Sequence, residues 1–211
     1  MLEQLKAGIR RFQTKVYPKN EEMYVSAVNE PQRPLALFIA CADSRIDPVK
    51  ITQSDPGDLF VLRNIGNVVP AYGEMLGGVS AVVEFAVSAV KVKHIVVCGH
   101  ADCGAMAALM QPDAMDEMPA VKNWMTNAAA ALSVAKSLAQ KDEPRSEFAR
   151  RLTEENVLLQ MQHVRTHPSV AGAMARNELT ISGWVYDIGT GEVRISEDGG
   201  RVFHPVLAES G

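Results

Sequence analysis

Apolar residues along the 211-residue chain fall into two kinds of pattern. Near the N-terminus Leu2, Leu5, Ile9, Phe12 and Val16 recur three and four positions apart, the period of a helix with one apolar face. That spacing predicts an amphipathic helical arm over residues 1–17, stopped near Pro18. Further on the pattern changes to short unbroken runs at residues 35–40, 59–62 and 95–98, too short for helices and without polar alternation. Such runs read as strands covered on both faces, the usual state of a parallel sheet. Between the last two, "GGVSAVVEFAVSAVKV" sets Val79, Val82, Val83, Ala86 and Val90 on one helical stripe. Strand, crossover helix and strand imply parallel pairing with a right-handed connection.

After Cys103 the chain is helical and alanine-rich to about residue 139, and "RSEFARRLTEENVLLQMQHVRTH" predicts another helix that ends before Pro168. "LTISGWVYDIGTGEVRI" predicts two strands about a Gly-Thr-Gly turn, and "EDGG" a further turn before Val202 and Phe203. No repeat, linker or low-complexity tract divides the chain, so one domain over residues 1–211 is expected. Its class is α/β, a mostly parallel central sheet flanked by helices, with an N-terminal helical arm and a C-terminal hairpin-like segment.

Charge and cysteine content narrow the chemistry. A net charge of -4 leaves no basic footprint for nucleic acid. No apolar run is long enough to cross a bilayer, and the first twenty residues carry scattered charges where a signal peptide needs an apolar core. The expected compartment is the cytoplasm, although a chain trimmed of an organellar transit peptide would read the same. Three cysteines, with no export signal, speak against a disulfide framework and turn attention to Cys41, Cys98 and Cys103 as thiolates or buried side chains.

Ligands of parallel sheets collect outside the carboxyl ends of the strands. Cys41 ends the first run, and His100 and Cys103 follow the third, so all three belong at one edge and meet if those strands are neighbours. Two thiolates and an imidazole form a three-ligand set for zinc, leaving the fourth tetrahedral position open. A helix starting near Cys103 favours its thiolate. An H-x-x-C pair alone is a weak signal, and a buried, inert Cys103 is the bland reading; Cys41 at a second strand end, followed by Asp43 and Arg45, strengthens the metal reading. Cys98 lies within an apolar run and reads as a small buried hydrophobe. His94, His163, His167 and His204 have no ligand-spaced companions and read as structural or solvent-facing.

"CADSR" followed by "GHADCG" resembles the β-class carbonic anhydrases. The likeness continues through "PGDLFVLRNIGNVVP", "GGVSAVVEFAV", "MPAVKNW", "THPSV" and "GWVYDIGTG". It lies nearest the plant-type branch and the bacterial form associated with cyanate metabolism. The resemblance implies one Zn²⁺ per chain on Cys41, His100 and Cys103, and reversible hydration of CO₂ to bicarbonate and a proton by zinc-bound hydroxide. It also implies that Asp43 and Arg45 act as a dyad. Two thiolates already neutralise the ion, so Asp43 beside the hydroxide needs Arg45 to offset its charge. Gln32 resembles the amide that bonds a substrate oxygen and Phe60 a wall of the CO₂ pocket, both reaching across a dimer interface, with Phe85 and Gly104 also at substrate positions. Phe85 replaces the plant-type tyrosine.

Arg63 and Tyr186 match two members of a Trp-Arg-Tyr trio through which bicarbonate closes some bacterial relatives, but Phe38 stands in place of the tryptophan. An open site without a strong bicarbonate switch is therefore expected. A homodimer is the implied minimum, with tetramers or octamers as larger assemblies. Two other readings stay open: a hydrolase of CS₂ or COS on the same fold, and a non-catalytic, zinc-stabilised assembly protein.

Overall fold

The run at residues 35–40 becomes the spine of the fold. In the computed structural model, which describes residues 1–74, 76–197 and 199–206, six strands form one sheet in the order β2-β1-β3-β4-β5-β6. Strands β1 (Ala36–Cys41), β2 (Leu59–Asn64), β3 (His94–His100) and β4 (Thr180–Tyr186) run parallel. Strands β5 (Val193–Ser196) and β6 (His204–Pro205) add antiparallel at one edge. Leu37, Phe38, Ile39 and Ala40 are wholly inaccessible to solvent. Alternate side chains explain why: Leu37 and Ile39 join Ile95 and Val97 on one face, while Phe38 and Ala40 join Val96 and Cys98 on the other.

The helices are α1 (Leu2–Arg11), α2 (Glu21–Asn29), α3 (Pro48–Thr52), α4 (Gly78–Phe85), α5 (Gly104–Leu109), α6 (Pro119–Trp124), α7 (Ala129–Ser137), α8 (Arg145–Thr166) and α9 (Pro168–Ala175). Val157, Leu158, Met161 and Val164 of α8 lie in the same cluster as Leu37 and Ile95. Two strand glycines let α8 come close. A Cβ at Gly183 would meet Met161 Sδ and Val157 Cγ1, each at 2.6 Å; one at Gly99 would meet Val157 Cγ2 at 2.8 Å and Thr153 Cγ2 at 2.9 Å.

Several expectations are corrected. The 59–62 run is an edge strand and only half covered, with Val61 39% exposed, because no strand lies outside it among the described residues. It is parallel to β3 but pairs with β1, so the connection through α4 skips a strand. Leu35 is exposed and the first strand starts at Ala36. The alanine-rich stretch is broken by short 3₁₀ turns into α5, α6 and α7, Pro112 and Pro119 opening new turns. Pro168 ends α8 and also opens α9. The arm does not stop at Pro18 but passes through a π-type turn (Phe12–Val16) and a 3₁₀ turn (Tyr17–Lys19) into α2. The expected hairpin is present: β4 and β5 pair about a turn in which Asp187 Oδ1 accepts from the N–H groups of Gly189 and Thr190. Of the "EDGG" turn, Asp198 lies outside the described residues.

Gly183→Ala is expected to destabilise the protein by roughly 1–3 kcal/mol, because α8 must retreat from the sheet. The shift of the urea unfolding midpoint measures this; an unchanged midpoint would contradict the close approach.

Candidate metal centre

Because β1 and β3 are neighbours, Cys41 and His100 leave the sheet at the same edge. The chain then turns through Asp102, whose φ of 54° is left-handed, and delivers Cys103 as the residue capping α5. Ala101 N–H donates to the Tyr186 carbonyl at 2.9 Å, tying this turn to the end of β4. The sulfurs of Cys41 and Cys103 come to 4.0 Å, and the ligand atoms of Cys41, His100 and Cys103 all lie within 4.8 Å of one another, buried.

These atoms fit a tetrahedral ion. Metal–sulfur bonds near 2.3 Å at tetrahedral angles place two sulfurs roughly 3.8 Å apart. His100 supplies the second test. Its Nδ1–H donates to the Ala101 carbonyl at 2.8 Å, which leaves Nε2 with a lone pair, and that buried Nε2 has no hydrogen-bond partner. An orphaned buried nitrogen is costly unless something binds it. Protons tell the same story. The Cys103 contact lowers Cys41, assisted against burial by His100 and by the N–H groups of Asp43 and Gly66. The Cys41 contact, with burial, pushes Cys103 up despite the N–H groups of Met106 and Ala105. A divalent cation removes the conflict, since it holds both sulfurs as thiolates.

Asp43 and Arg45 face each other as a fork. Arg45 Nε donates to Asp43 Oδ1 at 3.0 Å and Nη2 to Oδ2 at 2.8 Å, while the Arg45 backbone N–H also donates to Oδ1 at 3.0 Å. These bonds hold the Asp43 carboxyl well below the usual carboxylate range. Arg45 Nη2 also donates to the Asp102 carbonyl at 3.0 Å, so one guanidinium joins the Cys41 loop to the His100–Cys103 turn. A second strap was not legible as such: Arg63 Nε donates to the Cys41 carbonyl at 3.1 Å and Nη2 to the Asp43 carbonyl at 2.6 Å. Arg63 is thus engaged with the ligand loop's backbone. Phe38 meets Trp184 edge-on within the core, centroids 5.5 Å apart.

The remaining candidates lie elsewhere. Phe60 stands four residues before Asn64, the register partner of Cys41, so it is roughly 13 Å back along β2. Its ring stacks with that of Phe85, centroids 6.1 Å apart. Gln32 is exposed ahead of β1. A chain by itself does not bring Gln32, Phe60 and Phe85 to its own ligands. Gly104 opens α5 beside Cys103, with open space where a side chain would be. A cavity of about 610 Å³ reaches Cys103 between α5 and α8, but neither Asp43 nor Arg45 lines it. Cys98 is buried and its thiol is pushed up to about 12 by that burial, in keeping with an inert side chain. His94 bonds Thr180 and Ser182, His163 and His167 bond the carbonyls of Val69 and Pro70, and His204 is exposed.

Known proteins are similar to this chain over most of its length. A family model described as carbonic anhydrase matches residues 36–193. A carbonic anhydrase of Pseudomonas aeruginosa is 46% identical over 198 residues, covering 93% of this chain and 88% of that one. The solved structure of the β-carbonic anhydrase CcaA superposes with a TM-score of 0.90 at 32% identity, over 99% of this chain and 93% of the other. A structure reported among two tetrameric β-carbonic anhydrases of Sordaria macrospora gives a TM-score of 0.78 at 26% identity, over 92% and 95%. The matched span contains β1, β3 and the turn that delivers Cys103, and by these matches the chain belongs to the carbonic anhydrase family, in its β class.

Proposed function

We propose that this enzyme hydrates CO₂ reversibly to bicarbonate and a proton, with one zinc ion per chain on Cys41, His100 and Cys103. The observation that carries the reading is the buried His100 Nε2, without a hydrogen-bond partner, lying with two sulfurs in a triangle, with Asp43 held by Arg45 two residues beyond Cys41. Zinc in that triangle supplies a nucleophile from water near neutral pH. The chain supplies orientation. Asp43, kept ionised by Arg45, can only accept hydrogen bonds, so it accepts from the attacking water and turns a lone pair of that water towards carbon. Arg45 returns the positive charge that Asp43 would otherwise subtract from a site with two thiolates. Among the described residues the ligand group has three members, the count of a site with a vertex for substrate. That favours turnover over a purely structural role, whose sites are closed by a fourth protein ligand.

A second copy completes the site in this reading. The described residues of α1 and α2 include none that is buried, and Leu2, Leu5, Ile9 and Phe12 stay exposed. The edge of β2 is open, and Phe85 is 51% exposed. A homodimer in which each chain lays its arm on the other, and lends Gln32 and Phe60 to the other's centre, covers these surfaces; tetramers or octamers then assemble from dimers. Motif order, with Gln32 nine residues before Cys41, supports the plant-type branch, near the bacterial form associated with cyanate metabolism. Three buried, unbridged cysteines fit a reducing compartment such as the cytoplasm.

Metal analysis is expected to find one zinc per chain, lost in Cys103→Ser and retained in Cys98→Ala; equal zinc in both variants would refute the assignment. Asp43→Ala should keep its zinc while CO₂ hydration, followed by stopped-flow with a pH indicator, falls roughly 10–100-fold. Wild-type turnover in that variant would remove Asp43 from the mechanism. Replacing Leu5 and Ile9 with glutamate should convert dimers or larger species to smaller ones in sedimentation velocity, with loss of activity, and an unchanged sedimentation pattern would place the arm elsewhere.

A further inference from the structure

The segment "VKNW" has no part in the dyad or the ligand set, yet its tryptophan reaches the metal centre through one peptide. Trp124 ends α6, packs against the cluster that contains Cys41 and Cys103, and donates its indole Nε1–H to the Ile65 carbonyl at 2.9 Å. A trans peptide is planar, with its N–H opposite its C=O, so holding the Ile65 carbonyl also aims the Gly66 N–H. That N–H is among the backbone groups that lower the Cys41 thiol.

Backbone geometry independently brings residue 66 to the ends of β1 and of the turn that carries Cys103. Asn64 is the register partner of Cys41, and its carbonyl accepts from Ala42 N–H at 2.7 Å. Two residues on, Gly66 takes a left-handed φ of 71°, and a Cβ there would meet Ala105 Cβ at 3.1 Å, on the helix that starts just after Cys103. The chain therefore passes between the two sulfur-bearing segments with room for glycine only. Its far side is also gripped. Asn156 Nδ2 donates to the Gly66 carbonyl at 3.0 Å, Gln160 Nε2 donates to Asn156 Oδ1 at 2.9 Å, and Gln160 Oε1 accepts from Val69 N–H at 2.9 Å. Asn156 and Gln160 are 1% and 0% exposed. Burying two amides is costly unless each bond is made; here they fix the Gly66–Asn67 and Val68–Val69 peptides, while Trp124 fixes the Ile65–Gly66 peptide.

We propose that Trp124, backed by Asn156, is a positioning residue for the metal: it holds the Ile65–Gly66 peptide so that the Gly66 N–H donates to the Cys41 thiolate. The proposal rests on the zinc reading above. A hydrogen bond onto a ligating sulfur draws charge from it and fixes its direction, which moderates a site with two anionic ligands.

Trp124→Phe keeps the ring and removes only the donor. In the full-length variant a chelator is expected to strip zinc roughly 10-fold faster than from wild type. In the cobalt-substituted proteins the sulfur-to-cobalt charge-transfer band should move to longer wavelength, as expected for a more electron-rich thiolate. Identical release rates and identical bands, in a wild type that does bind the metal, would overturn the proposal and leave the zinc reading intact. A wild type that takes up neither ion would overturn both. A second measurement needs no variant: in ¹⁵N-labelled wild type loaded with ¹¹³Cd, the Gly66 amide proton should show scalar coupling to cadmium through the Cys41 sulfur, and its absence would also overturn the proposal.

Discussion

Two thiols 4.0 Å apart in a buried corner resist ionising together, because the second negative charge must form beside the first and away from water. The structure surrounds that repulsion with donors. N–H groups of Asp43 and Gly66 face Cys41, those of Ala105 and Met106 face Cys103, and the His100 lone pair completes a triangle that a divalent cation satisfies. Sheet order makes this possible, since β1 and β3 must be adjacent for Cys41 and His100 to meet. The core beneath them supplies the rigidity, with Ile39 and Val97 paired in register and both fully buried.

Arginines then secure the parts that the sheet does not. Past Cys41 the chain leaves the ladder, and Arg63 holds the Cys41 and Asp43 carbonyls while Arg45 holds the Asp43 carboxylate and the Asp102 carbonyl together. A guanidinium suits such work because its planar array of donors can serve two acceptors at fixed angles. Cys41 and Asp43 thus share one short segment, and both arginines converge on it from outside its backbone. Small backbone shifts here would move the Cys41 sulfur and the Asp43 carboxylate together.

How much of this was readable before folding follows from what each pattern reports. Strands β1 and β3 were legible because burial on both faces leaves unbroken apolar runs, and the Cys41, His100 and Cys103 group because the first two end strands and the third follows three residues on. The edge status of β2 was hidden, since Leu59, Phe60, Val61 and Leu62 look like a covered strand although Val61 is 39% exposed. Helix α9 was missed because Pro168 reads equally as a stop and as a start. Arg63 was read only through its match to an incomplete bicarbonate trio, and its bonds to carbonyls twenty or more residues away are encoded by no local spacing. Trp124 and Asn156 escaped for the same reason, their acceptors lying in the loop after β2.

The unpaired outer side of β2 bears on the life of a newly made chain. Among the described residues no strand pairs with that side, and a row of backbone donors and acceptors beside exposed Val61 is open to whatever extended segment arrives first, whether a second copy or an unrelated polypeptide. Where a second copy takes that place, pairing is a race governed by supply: scarce synthesis lengthens the solitary interval, and abundant synthesis shortens it.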